Sequence, residues 1–296
     1  MAIKTVRAQI NGMWYNLVNS NGQWTASLTA PGATSFNQPN GYYNVIIEVT
    51  NDAGTKITAD ASTFESLKLK VKETVKPVIT ILSPSSGAYV SNNKQPIVFT
   101  VTDEVGGSGI DTTSISVEID SVKITDISTS AITNGYSVTA TPSNPLSDGI
   151  HTVTINVSDN DGNSALEQSV SFTVDTIPPV LNITSPADNL ITNAAALNVT
   201  GSTNDTTSSP VTISIKLNNI DQGSVTVDTG GNFAKQITLA EGVNTIIITA
   251  EDLAGKISTV TRTVTLDTSV PEIESATIVP NPVDAGATML ITVVIA

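Results

Sequence analysis

Short runs in which apolar and polar residues alternate fill most of this chain, and one of them occurs three times. It reads NGYYNVIIEVTNDAGT at 40–55, DGIHTVTINVSDNDGN at 148–163 and EGVNTIIITAEDLAGK at 241–256. Apolar residues take every second place at the centre of each copy: Val45, Ile47, Val49; Val153, Ile155, Val157; Ile246, Ile248, Ala250. A period of two predicts a strand with one buried face. Glycine stands in the second place (Gly41, Gly149, Gly242) and the fifteenth (Gly54, Gly162, Gly255), where a turn needs a permissive backbone. The fourth place holds Tyr43, the single histidine His151, and Asn244. Such variety reads as a solvent-facing position and gives His151 a structural role.

A repeat of this kind predicts one β-rich module used several times. The second and third modules open alike, VITILSP at 78–84 and VLNITSP at 180–186, each after a proline-marked junction, ETVKPV and DTIPPV. Closing strands are predicted at 66–73, 169–175 and 261–267. Pro77 and Pro179 lie about 100 residues apart, the length of a seven-stranded immunoglobulin-like sandwich. The expected fold is therefore all-β: three tandem immunoglobulin-like β-sandwich modules, at 1–75, 76–175 and 176–268, plus a short C-terminal β segment at 269–296. Proline restricts its own backbone and that of its predecessor, so the junctions should be stiff.

The first module diverges most. It begins with a predicted hairpin, VRAQING then MWYNLV, followed by a second turn at Asn21-Gly22. Most of the aromatic residues lie in it. They either fill its core or present a contact surface for a sugar or a partner, and Trp14, Tyr15, Trp24, Tyr42 and Tyr43 are the candidates for such contact. At the other end, two strands are expected around Ile278–Val279 and Met289–Ile295. Two strands alone make no stable sandwich. They either belong to a longer chain or pack on module three, or they add to the sheet of a partner. In the last case Ile278, Val279, Met289, Leu290, Ile291, Val293 and Ile295 form the docking surface, and the partners are sister copies or other proteins of one assembly.

Charge narrows the function classes. The chain carries 13 Lys and Arg against 27 Asp and Glu, a formal net charge of −14. Nucleic acid needs clustered basic residues and is excluded as a partner. No segment approaches the ~20 apolar residues of a membrane helix. With no cysteine, disulfides and thiol chemistry are absent. A lone histidine without a GxSxG elbow, and the lack of a P-loop or dinucleotide fingerprint, predict no enzyme and no cofactor. Calcium is the one ligand the acids suggest. Asp159 and Asp161 alternate in DNDGN, yet Val170 stands where an EF-hand loop needs its closing Glu. Asp103, Glu104 and Asp111 flank the glycine-rich TDEVGGSGID, and Asp175 ends a module beside a junction. These six are the calcium candidates, against the reading that Asp and Asn simply form turns.

The SP opening, the glycine-bounded turn and the V-D-T-x-P-P junction resemble bacterial Ig-like repeats of surface adhesins and polysaccharide-degrading enzymes. The start MAIKTVRAQINGMWYNL, the stretch SFNQPNGYYNVIIEVTNDAG and the ending IVPNPVDAGATMLITVVIA resemble Ig-like proteins encoded in tailed-phage and prophage structural clusters of Gram-positive bacteria. The resemblance implies a phage virion component, at the tail or baseplate or as a capsid decoration, without catalytic residues. It also implies that the protein reaches the outside within a particle, consistent with an N-terminal stretch that lacks a signal peptide's apolar core. The alternative is a cell-surface adhesin or the glycan-binding accessory part of a polysaccharide-active enzyme.

Overall fold

The computed structural model describes residues 2–296, which are almost wholly β-strand and turn. Residues 1–175 form one compact unit and 176–296 another. Among the described residues no helix is long and apolar enough to cross a membrane.

Module two contains β9 (Val78–Ser83), β10 (Tyr89–Val90), β11 (Ile97–Thr102), β12 (Ile110–Ile119), β13 (Val122–Lys123), β14 (Asp126–Ile132), β15 (Gly135–Thr141), β16 (Gly149–Asp159) and β17 (Gln168–Val174), counted after the eight strands of module one. They make two sheets, ordered β10-β17-β16-β12-β13 and β14-β15-β11-β9. The opening strand divides between them: β9 pairs antiparallel with β11, whereas β10 runs parallel to β17. Alternation places Ile97, Phe99 and Val101 from one sheet against Val117, Val153, Ile155 and Phe172 from the other, all fully buried. Each such side chain contributes about 1.5–3 kcal/mol of transfer free energy, which is how so few aromatics suffice.

Module three repeats the plan with β18 (Val180–Ser185), β19 (Leu190–Thr192), β20 (Ala196–Asn204), β21 (Thr212–Leu217), β22 (Ile220–Asp221), β23 (Asn232–Thr238), β24 (Gly242–Glu251) and β25 (Ile257–Leu266). Its sheets are β18-β20-β23 and β19-β25-β24-β21-β22. Val199, Ile215, Ile246, Ile248 and Val264 form its centre. The repeated segment is thus a central strand in both sandwiches, β16 and β24. Its fifteenth-place glycines, Gly162 and Gly255, have φ of 92° and 78°, the left-handed conformation the pattern predicts.

Module one is thinner. It comprises β1 (Ile3–Ile10), β2 (Met13–Asn16), β3 (Val18–Ser20), β4 (Gln23–Thr25), β5 (Tyr43–Asn44), β6 (Ile46–Asn51), β7 (Lys56–Ala59) and β8 (Lys68–Leu69). One four-stranded sheet, β2-β1-β6-β7, is joined by the two-stranded ladders β3-β4 and β5-β8. The expected hairpin turns are present, with positive φ at Asn11-Gly12 and Asn21-Gly22. Its core departs from expectation in two ways. Val45, Ile47 and Val49 are only half-buried, while Glu48 beside them is buried. Arg7 lies opposite Glu48 in register, 2.8 Å away, and Lys56 adds a second contact at 3.3 Å, so the sheet tolerates a charge there. The Arg7 guanidinium beside Glu48 holds its carboxyl below the usual range. Nor do rings fill the core: Tyr43 alone is buried among the aromatics, with Phe36, Phe64 and Trp14 exposed.

The fourth place of the repeat is not solvent-facing. Tyr43, His151 and Asn244 are all buried. They share the parity of the inward residues two and four places on, so the pleat turns them inward. The C-terminal segment folds as a hairpin of β26 (Ile273–Val279) and β27 (Leu290–Ile295), with Ile278 opposite Ile291. Every residue from 267 to 296 is exposed, so this segment does not pack on module three.

Candidate functional site

The acids of module two converge where module one ends. Asp103 follows β11, Asp159 ends β16, and Glu73 lies in the segment that leaves module one. Each offers a carboxylate oxygen, and the three oxygens lie within 4.8 Å of one another. Asp103 is 8 % exposed and Asp159 2 %. Glu104 closes the group, because a Cβ built on Gly107 would stand 2.7 Å from Asp103 Oδ2, 2.8 Å from Glu104 Cδ and 2.9 Å from Glu73 Oε2. Three carboxylates therefore wrap a point where only glycine leaves room.

Backbone donors hold one side of these groups. Gly109 N–H donates to Asp103 Oδ2 at 2.7 Å, Ser108 N–H to Glu73 Oε1, and Asn163 N–H to Asp159 Oδ1 at 2.8 Å. The other oxygens of Asp103, Glu73 and Glu104 are buried with no hydrogen-bond donor. None of the ion pairs among the described residues reaches these acids. The Glu73 carboxyl facing Glu104 pushes the latter up to about 7, with burial and Asp103 adding to the effect. Burial also raises Glu73, but the neighbouring Glu104 carboxyl and the Ser108 N–H outweigh this and leave it below the ordinary value. An open cleft of about 460 Å³, lined by Asn37, Gly107 and Asn160 among others, borders the cluster and gives it access to solvent.

Asp161 sits beside the group in a different role. Its Oδ2 accepts from the Thr34 hydroxyl at 2.5 Å and from Glu73 N–H at 3.1 Å. Lys72 Nζ donates to its carbonyl at 2.8 Å, and Asn37 Nδ2 to the Gly107 carbonyl at 2.5 Å. Modules one and two are fastened here by polar bonds. Asp111 lies away from the cluster, its Oδ1 engaged by the Thr113 N–H and hydroxyl at 2.9 and 2.6 Å. An Asp two residues ahead of a Thr in a turn satisfies itself locally, which removes it as a candidate ligand. Asp175 directly follows β17, buried, with its N–H donating to the Val90 carbonyl at 3.0 Å.

The aromatic candidates do not form one surface. Trp14 lies under the Arg7 guanidinium, 4.2 Å from its carbon. Tyr15 and Trp24 are half-buried on separate ladders. Tyr43 is turned inward, its hydroxyl donating to the Ala33 carbonyl at 3.1 Å, so it is no contact residue. Tyr42 borders an open cleft of about 480 Å³ with Gln38, Asn44 and Asp60. The docking candidates Ile278, Val279, Met289, Leu290, Ile291, Val293 and Ile295 are all exposed on the C-terminal hairpin.

Residues 83–176 match the family model of the bacterial Ig-like domain, and 179–268 that of glucodextranase domain B. This is an Ig-like repeat protein. Among solved structures, the fibronectin(III)-like modules of Clostridium thermocellum CbhA align at 16 % identity over 64 % of this chain and 94 % of theirs, with a TM-score of 0.44. A solved chain from a study of host cell surface retention of a 1.5-MDa bacterial ice-binding adhesin aligns at 21 % over 89 % of this chain and 86 % of that solved chain, with a TM-score of 0.34. The SGBP-B protein of the Bacteroides ovatus mixed-linkage glucan utilization locus, solved with a heptasaccharide, gives 15 %, 97 %, 69 % and 0.23 in the same order. No curated protein sequence matches the chain.

Sequence reasoning missed Glu73 in this Ig-like repeat protein, although a signal existed. The three closing strands end on an acid, Glu73, Asp175 and Asp267. It also passed over Asp205 and Asp252, which hold in module three the places of Asp103 and Asp159. Their carboxylate oxygens likewise approach within 4.8 Å of each other. The twelfth place of the repeat, Asn51, Asp159 and Asp252, would have pointed to the second of these.

Proposed function

We propose that this Ig-like repeat protein is a non-catalytic spacer, carried on a phage particle, that sets the orientation of its first module. The junction of modules one and two carries the reading. Thr34, Asn37, Lys72 and Glu73 from the first module meet Gly107, Ser108, Asp161 and Asn163 of the second in direct hydrogen bonds. Modules that merely fill length need no such fastening, whereas a module held at a set angle does. The sandwich interiors are packed with aliphatic side chains, and the clefts beside Tyr42 and Gly107 are open to solvent. That suits a scaffold whose function comes from position.

The likeness of both chain ends to phage structural-cluster proteins supports a place in the virion. In this reading the exposed C-terminal hairpin attaches to another particle protein or to sister copies, and the Tyr42 cleft of module one meets the cell-surface glycan. A second reading, an accessory part of a polysaccharide-active enzyme or surface adhesin, draws support from the match of 179–268 to glucodextranase domain B. Immunogold electron microscopy separates the two, using antibody against residues 76–268 on particles and cells from an induced culture. Gold at one place on the particles is expected. Gold on cell walls with bare particles would overturn the virion reading in favour of the second.

A further inference from the structure

A buried carboxylate without a donor or a counter-ion is costly, by several kcal/mol per charge. Three such oxygens occur together, Asp103 Oδ1, Glu73 Oε2 and Glu104 Oε2. Oxygens bound to one calcium ion at about 2.4 Å can be no more than about 4.8 Å apart, and the oxygens of Glu73, Asp103 and Asp159 meet that limit. The donor set is all oxygen, which suits a hard cation rather than zinc or copper.

The repeat itself separates what the turn needs from what remains unexplained. In module one Asn51 makes the same turn: its Oδ1 accepts from Thr55 N–H at 2.9 Å, and its N–H donates to the Thr55 carbonyl at 3.1 Å. Asp159 does the same with Asn163, at 2.8 and 3.1 Å. A neutral amide therefore suffices for the turn; the Asp159 carboxylate adds a second bond, its Oδ2 accepting from Asn163 Nδ2 at 2.8 Å, and still brings an oxygen within 4.8 Å of those of Asp103 and Glu73. At Asp103 only Oδ2 is occupied, by the Gly109 N–H, and Oδ1 is buried without a donor.

We infer that Glu73, Asp103 and Asp159, with Glu104 beside them, bind one calcium ion that ties the end of module one to two loops of module two. The ion neutralises the cluster and makes the junction depend on calcium. Backbone carbonyls and water would complete its coordination, as calcium takes six to eight oxygens.

The test uses the full chain, stripped with EDTA and dialysed against calcium chloride at pH 7.5, with bound calcium counted by atomic absorption. At least one equivalent is expected. Asp159→Asn, which gives this position the residue module one uses, should lose one equivalent while keeping its melting temperature in EDTA. Glu73→Gln, outside the sandwich, should lose the same equivalent, and Asp111→Asn should lose none. Calcium should raise the melting temperature of residues 1–175 in the wild type and leave both binding variants unmoved. No bound calcium at millimolar concentration would overturn the assignment. So would full calcium binding by Asp159→Asn and Glu73→Gln, or equal occupancy when magnesium replaces calcium.

Discussion

His151 tests the packing of module two most directly. Its ring is 6 % exposed, with Nδ1 2.6 Å from Asp120 Oδ2 and Nε2 2.7 Å from the Ser147 carbonyl. Phe172 stands opposite in register, its ring centroid 5.9 Å away. His151→Ala removes both polar contacts and leaves a gap beside Phe172. A hydrogen bond to a charged group contributes about 1.5–3 kcal/mol and a neutral one about 0.5–1.5. The Asp120 side chain is 47 % exposed, so it regains water and its bond counts at the low end. With the lost ring contact included, residues 1–175 should be destabilised by about 2–4 kcal/mol. At about 2–4 °C per kcal/mol for a unit of this size, calorimetry at pH 7 should show a fall of about 5–15 °C. A melt within about 1 °C of wild type would refute the claim that this contact holds the strand.

Module three supplies the rescue. There Asn218 Nδ2 donates to Asn244 Oδ1 at 3.0 Å in the equivalent position. Asp120→Asn combined with His151→Asn should restore most of the stability lost in either single variant. Asp120 also gives a pH signature. Burial raises its carboxyl, but the Thr152 N–H and the His151 contact outweigh this and hold it below the ordinary value. Its folded pKa is thus depressed, so its contribution is present above the unfolded value of about 3.9 and lost as pH falls through the folded one. Between pH 7 and pH 3 the wild type should lose more stability than Asp120→Asn. An equal loss in both would show that Asp120 carries none of the acid sensitivity.

Three further perturbations follow. In Gly201→Ala the new Cβ would stand 2.3 Å from the Asn182 carbonyl oxygen and 2.7 Å from Phe233 Cζ, so backbone must shift; calorimetry should show residues 176–296 destabilised by about 1–3 kcal/mol, with the 1–175 transition unmoved. Phe99 is fully buried at the centre of module two, and Phe99→Ala should cost the 1–175 unit about 3–5 kcal/mol in urea denaturation. Deleting residues 270–296 removes only exposed positions and should leave both melting transitions within about 1 °C while abolishing incorporation into particles; normal incorporation would refute the hairpin as the attachment element.

What the sequence made legible is what period two controls. The alternation in DGIHTVTINVSDNDGN and EGVNTIIITAEDLAGK places Val153, Ile155, Ile246 and Ile248 at full burial. The bracketing glycines mark where the chain turns. In module one the same pattern misleads, because Arg7 from a strand far away in sequence and Lys56 from the adjoining hairpin strand neutralise Glu48, letting the charged face turn inward. Asp103 and Asp159 were readable as acids in turns. Their convergence was not, since it needs β11 and the end of β16 to deliver them to one point and Glu73 to reach it from another module. Asp111 is the converse: near in sequence, yet diverted by Thr113 two residues on.

The fourth place of the repeat shows how one structural task can hide behind three residue types. Tyr43 donates to the Ala33 carbonyl, His151 bridges Asp120 and Ser147, and Asn244 bonds Asn218 and the Ala240 backbone. Each faces inward just where a strand enters its sheet, and each ends on a polar atom that fastens the preceding loop. In modules two and three the bonded partner lies in a tight hairpin turn with positive φ at both central residues, Asp120-Ser121 and Asn218-Asn219. Those turns also accept from the next strand residue, Thr152 N–H to Asp120 and Thr245 N–H to Asn218, each at 2.8 Å. Burial demands a satisfied polar atom at this place and little else, so any side chain of suitable reach can serve. Chemical variety at a repeated position therefore does not signal exposure. Parity with the apolar residues that follow is the better guide, and it places His151 in the core.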